Sequence, residues 1–425
     1  MEIEAIRLAT LILSLLISAP VFYVFYKERT GILLPLVVFL AFAFSLGFYI
    51  TEIKHYALEI ATSFLMIALF YLNHSKKLSF PITVMFIAAI TYIGFSTLIP
   101  AFVLIGYLTI TALLAKRKAF FTPSVMLSLA IAAMFALLTL LHMKHLTIYQ
   151  INNYDAYLSK GFFGDIKTLI TVGAGVHGIA LTLAVAITTI AGLVADRKSL
   201  FFKFNLIFIL IILLVSLGKL TGFYPLASSR HLIWLAPFSF VLLIFGIIHF
   251  SQESSATKRI LGLIVIGIIA LQAANVVFKA TIGQSPELTE NNALYQKLAE
   301  LPESQIVLFP LAQPTLQYYQ LLDENLNKHH YISFADNFST PKDPLGARER
   351  AFSLIDDIFS ALPDTEFYYV VSHHAPLFSE NVPEWQTWRG EYVEAKFKEF
   401  RCAHTEVFKG HQVQLLKVNC EGKNE

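Results

Sequence analysis

Two short stretches of this sequence set ionisable and aromatic side chains against long apolar runs, where charge is costly and marks candidate chemistry. The first is Tyr49-Ile50-Thr51-Glu52-Ile53-Lys54-His55-Tyr56-Ala57-Leu58, followed directly by Glu59. A carboxylate such as Glu52 beside an apolar zone can take the proton of an acceptor hydroxyl, or orient that hydroxyl and a divalent metal. The plain alternative is an interfacial Lys–Glu pair with Tyr56 in an aromatic belt; for Glu59 it is a protonated group that packs helices. The second stretch runs from Lys219 to His231 and carries Tyr224-Pro225 and Ser228-Ser229-Arg230-His231. Arginine offers a planar donor fork suited to an oxyanion such as phosphate. A helix opening near Ser229 would add its N-terminal amides. The competing reading is an arginine that snorkels to the interface.

Other candidates carry less. The segment 142–167 holds His142, Lys144, His145, Asp155 and Asp165, without the spacing that presents three or four metal ligands. His177 lies inside an apolar run and reads as a packing histidine. Gly173-Ala174-Gly175 before it lets helices approach closely. It is not a nucleotide loop, because no strand precedes it and no Lys-Ser/Thr follows. Val371-Ser372-His373-His374 ends a strand-like run and reads as a loop histidine pair, while Trp385 and Trp388 pack or sit at a surface. Cys402 and Cys420 flank a hairpin at nearly mirror-related positions, so a disulfide is expected in an oxidising compartment, with two buried thiols as the alternative.

The elements that must position these groups are mostly apolar. Of 425 residues, 56% are hydrophobic and 15% charged, against about 25% charged in a soluble domain. Runs of spanning length fall at 6–26, 31–50, 57–73, 80–97, 99–115, 124–142, 168–193, 200–217, 231–250 and 259–279. The first lacks a basic n-region and a cleavage site, so a retained helix is expected rather than a signal peptide. Basic clusters lie tight against alternate connections: Lys27 and Arg29, Lys76 and Lys77, Lys116 to Lys118, Arg197 and Lys198, Lys258 and Arg259. By the positive-inside rule those connections are cytoplasmic. The N-terminus, both candidate stretches and everything after about residue 280 are then extracytoplasmic, as in a bacterial inner-membrane protein. The net charge of +2 argues neither for nor against nucleic acid; with the charges beside lipid-spanning runs, no nucleic-acid partner is expected.

From Ser285 the composition becomes that of a soluble domain. Helical periodicity at 287–301, 314–322, 347–362 and 393–400 alternates with strand-like runs at 305–309, 331–334 and 367–372. Segments 403–408 and 412–418 read as a hairpin around Lys409-Gly410. The expectation is a polytopic α-helical membrane domain of about ten spans, residues 1–283, and a small α/β domain, residues 284–425.

The order of motifs resembles the GT-C superfamily of membrane glycosyltransferases, which includes protein O-mannosyltransferases and aminoarabinose transferases. Arg7-Leu8-Ala9-Thr10 through Tyr26-Lys27 is similar to that family's "RLPS" helix. Thr51 to Leu58 is similar to its "qEaRpYaL" segment, with Lys54-His55 in place of Arg-Pro. Tyr224-Pro225, Ser229-Arg230-His231-Leu232 and Pro237 resemble its "YP…RHLl…lP" element. The resemblance implies sugar transfer from a polyprenyl-phosphate carrier at the outer leaflet. Glu52 would be an acidic site residue; Lys219, Arg230 and His231 would contact phosphate, and Lys54, His55, Tyr56 and Tyr224 would line the lipid or sugar pocket. In the family the principal catalytic Asp precedes the helix matched here to 6–26. This chain opens where that loop would end, so the Asp is expected from a longer gene product or a partner protein. Failing both, a non-catalytic subunit of an envelope polysaccharide system is expected. A transporter would show repeats or paired interrupted helices, and the sequence shows no such pairing.

Overall fold

The computed structural model describes residues 2–28, 31, 33–51, 56–94, 97–115, 120–153, 170–176, 178–221, 232–252, 255–281, 291–309, 312–332, scattered positions between 349 and 360, 366–372, 384–410 and 413–420. They form two compact units: Met1–Ile151 with Ala156–Pro286, and Glu287–Glu425 with Asn152–Asp155.

The first unit is helical. Its elements are α1 (Glu2–Ser18), α2 (Pro20–Lys27), α3 (Leu33–Thr51), α4 (Tyr56–His74), α5 (Phe80–Ile90), α6 (Leu98–Ala115), α7 (Pro123–Asn153), α8 (Ile179–Leu193), α9 (Leu200–Leu220), α10 (Ala236–Gln252) and α11 (Ala256–Thr281). Among the described residues seven segments are long and apolar enough to cross a membrane, and three apolar helical stretches are shorter. The unit is thus compatible with a polytopic membrane protein. The segment Ile233–Gln252 is its hub, 89% buried over its most apolar stretch, against 22% for Leu8–Lys27 and Pro123–Leu141. Phe240 receives Phe25, Phe42 and Phe64 edge-on, with ring centroids 5.8, 6.2 and 5.7 Å away, the geometry that aromatic quadrupoles favour.

Four helices depart from the sequence expectation. The run 6–26 is two helices, because Pro20 cannot continue α1 and instead opens α2 at its first turn. The run 80–97 is α-helical only to Ile90. Tighter turns then carry the chain to Gly94, with Thr91, Tyr92 and Ile93 N–H groups bonded three residues back and the Thr97 hydroxyl donating to the Gly94 carbonyl. Irregular backbone inside an apolar bundle needs that internal satisfaction. Helix α7 runs on past 142 to Asn153, 31 residues, or about 46 Å and longer than a hydrocarbon core. The run 168–193 is broken in its interior, as described below.

The second unit is a three-layer sandwich. Helices α12 (Asn291–Glu300), α13 (Ala312–Gln320) and α14 (Glu384–Glu399) flank β1 (Gln305–Leu308), β2 (His330–Ile332), β3 (Glu366–Ser372), β4 (Cys402–Gly410) and β5 (Val413–Cys420). The sheet order is β2-β1-β3-β5-β4. The first three strands are parallel and the last two antiparallel. Period-2 alternation sends Val307, Tyr369 and Leu416 to a layer with Ile355, Phe359 and Phe397. Ile306, Tyr368 and Leu415 go to the opposite layer with Leu294 and Leu316. Cys402 and Cys420, paired across β4 and β5, are joined by a disulfide.

Candidate functional site

Contacts between helices order the helix ends of the first unit. Phe64 of α4 meets Phe240 of α10, Gly175 meets Leu235 and Ala236, and Asn205 of α9 donates to the Thr189 carbonyl of α8 at 3.0 Å. The start of α4, the end of α9 and the starts of α8 and α10 therefore share one end of the bundle. The other end carries basic and aromatic groups: Lys77 donates to the Tyr23 hydroxyl, Lys27 sits over the Tyr23 and Tyr26 rings, and Tyr71 donates to Glu28 at 2.6 Å.

At the first end two ionisable side chains are withdrawn from the surface. Glu59, in the first turn of α4, is 1% exposed; Lys219, in the last turn of α9, is also 1% exposed. Neither is without a partner. Removing such a group from water costs several kcal/mol unless it is engaged, so their burial needs a reason. One contribution is local: the carboxylate lies at a helix N-terminus and the ammonium at a C-terminus, each at the dipole end of opposite sign. Thr62 and Ser63 follow Glu59 in the interior. Thr62 bonds back to the Leu58 carbonyl at 2.7 Å, whereas the Ser63 and Ser239 hydroxyls have no hydrogen-bond partner among the described residues.

The backbone is also broken at this end. The described residues 170–172 are helical, the chain turns at Gly173, and α8 opens at Ile179. The Gly178 N–H returns to the Thr171 carbonyl at 2.9 Å and the Ala174 N–H to the Thr182 hydroxyl at 3.3 Å. Gly175 takes φ +82°, and a Cβ there would come within 2.8 Å of the Ala236 Cα. The close approach expected of Gly173-Ala174-Gly175 is real, but it is made by unwound chain rather than by a helix face. Three glycines in six residues (173, 175 and 178) permit such a break as well as close helix packing.

Of the residues singled out from sequence, Glu52, Lys54, His55, Tyr224, Arg230 and His231 lie outside the described residues, as do Asp155, Asp165, His177, His373 and His374. Tyr56 opens α4, His142, Lys144 and His145 lie in α7, and Trp385 and Trp388 lie in α14, with only their backbone described. Lys219 alone among the proposed substrate contacts is placed with its side chain. Among the described residues no group of three His, Cys, Asp or Glu side chains is positioned to hold a metal ion.

In the second unit, Ser372 at the carboxyl end of β3 donates to Asn291 at 2.6 Å, tying α12 to the sheet. A polar depression of about 440 Å³ lies between Glu303, Ser304, Gln305, His330, Glu366 and Tyr368. It sits at the amino ends of the parallel strands, opposite the carboxyl edge where open α/β sheets bind ligands. His329 is 5% exposed, and its Nε2 meets the Leu298 carbonyl at 3.0 Å. Burial first, then nearby Lys328, hold its imidazole below the usual value, partly offset by that carbonyl and Glu303. The fold thus binds this proton less well than the unfolded chain does. Stability is full above an ordinary histidine pKa of about 6.5 and is lost as pH falls through it toward the folded value. The denaturant midpoint of the second unit should fall between pH 7.5 and 5.5, and His329→Gln should flatten that slope; equal slopes would remove His329 as its source.

No family model, no curated protein and no solved structure matches this chain.

Proposed function

We propose that this chain is a membrane glycosyltransferase of the GT-C type, moving a sugar from a polyprenyl-phosphate carrier to an acceptor at the extracytoplasmic face. The observation that carries the reading is the burial of Lys219 and Glu59 at the bundle end where the motif-bearing segments begin and finish. Buried ionisable groups in spanning helices are costly and tend to mark function. The acceptor oxygen would attack the anomeric carbon as the bond from that carbon to the phosphate oxygen breaks. The acceptor proton passes to a carboxylate, with Glu52 the candidate, and polyprenyl phosphate leaves with the bonding pair. Lys219, with Arg230 and His231, would stabilise the negative charge gathering on the phosphate. Lys54, His55, Tyr56 and Tyr224 would line the pocket. A divalent metal beside the carboxylate is compatible with this chemistry. The second reading is a non-catalytic, carrier-binding subunit of an envelope assembly system in a bacterial inner membrane.

The test is turnover of a polyprenyl-phosphate sugar by the purified full chain. Lys219→Met, Glu52→Gln and Arg230→Ala are each expected to lower turnover about tenfold or more, with unchanged thermal midpoints. Undiminished transfer in all three would sink the site assignment. Carrier binding without any transfer by wild type would favour the subunit.

A further inference from the structure

The first unit contains a cavity of about 230 Å³ between α5, α6 and α7, far from Lys219 in sequence and built from other helices. Ala88, Thr91, Ala101 and Ala132 form its buried floor, while Phe102 and Ala133 stand exposed at its rim. Ala88, Ala101 and Ala132 put one methyl group on the floor from each helix, which leaves the space open, and Leu98, Ile105 and Leu129 complete the apolar lining. Thr91, its one polar floor residue, is already engaged. Its hydroxyl donates to the Ala88 carbonyl at 2.7 Å and lies 3.3 Å from the Thr139 hydroxyl. Water needs two to four polar partners to occupy a buried site, and this lining offers none to spare. A void lined by packed methyl groups forfeits dispersion contacts until something apolar enters.

The rim settles what is at hand to enter. Phe102, Met134 and Leu137 are exposed apolar side chains on helices of spanning length. The cavity is therefore continuous with the band of the bundle that faces hydrocarbon. Its floor lies below that band, so an occupant is held on three sides rather than lying against a flat wall. We propose that this cavity is a binding site for one acyl chain of a bilayer phospholipid, a structural lipid wedged between α5, α6 and α7. The inference needs only membrane integration and is independent of the sugar-transfer reading.

The experiment uses the full chain in vesicles of phosphatidylethanolamine and phosphatidylglycerol, with a trace of phosphatidylethanolamine bearing a mid-chain diazirine. After photolysis, peptides spanning 98–105 and 129–136 should carry about tenfold more label than the lipid-facing stretch around Leu213 and Leu217 of α9. Ala133→Phe, which fills the mouth, should erase that excess and leave the α9 label unchanged; Ala136→Leu is the milder filler if the first variant does not fold. Equal labelling of the two surfaces in wild type would overturn the site. Loss of the excess on adding polyprenyl phosphate at a small fraction of the phospholipid would also overturn it, since the occupant would then be the carrier's tail.

Discussion

Gly175→Ala is expected to destabilise the helical unit by about 3 kcal/mol or more, enough to abolish accumulation of folded protein in detergent. Two costs combine. A left-handed backbone charges an L-residue roughly 1–2 kcal/mol, and Gly175 sits at φ +82°. Overpacking adds about 1–3 kcal/mol, because the new methyl would press on the backbone of Leu235 and Ala236 rather than on a side chain that can swing away. The contact cannot relax cheaply, since Leu235 and Ala236 belong to the most buried segment of the unit. Gly106 and Gly267 provide the control: nothing lies within 4 Å of a Cβ at either position, and in a helix interior alanine is favoured over glycine by about 1 kcal/mol. Thermal midpoints should therefore drop sharply for position 175 and hold or rise for the other two. A Gly175→Ala protein as stable as wild type would mean that the unwound segment does not pack as described.

Opening the disulfide should cost the second unit about 3 kcal/mol. The bond closes a loop between residues 18 apart in sequence, and the denatured chain gains about that much entropy when such a loop is released. The loss falls on a vulnerable place. Among the described residues β4 lies at the sheet edge and pairs in the sheet with β5 alone, and it is largely exposed over its first half. The cross-link therefore secures a strand with few other ties, with both cysteines partly buried against the Phe359–Phe397 layer. Denaturant unfolding of the full chain with and without dithiothreitol should separate the oxidised and reduced midpoints, and Cys402→Ala with Cys420→Ala should reproduce the reduced value. Coincident curves would show that the hairpin and its packing hold β4 unaided.

The apolar runs announced their helices because a segment facing lipid must satisfy every backbone group within itself, and each of the ten runs does hold a helix. In the second unit, β1 and β3 could be read as short continuous apolar runs rich in β-branched and aromatic residues, buried on both faces, and the β4–β5 hairpin from its alternation. Inside the apolar runs Pro20 marks one stop, but the glycines leave the others ambiguous. Gly173, Gly175 and Gly178 suit close helix packing and an unwound chain equally well, and the choice came from Ala236, sixty residues away in sequence, whose backbone fills the space a helix would take. Thr91 to Gly94 leave the α-helix for a similarly non-local reason: Gly94 lies against the Thr62 hydroxyl of α4. Sheet order is likewise a matter of distant partners, since β3 inserts between β1 and β5. The sequence by itself placed Glu59 and Lys219 near helix ends; packing alone withdrew them from the surface. Position along a chain sets which helix end a charge belongs to, but its exposure depends on which neighbours close over it.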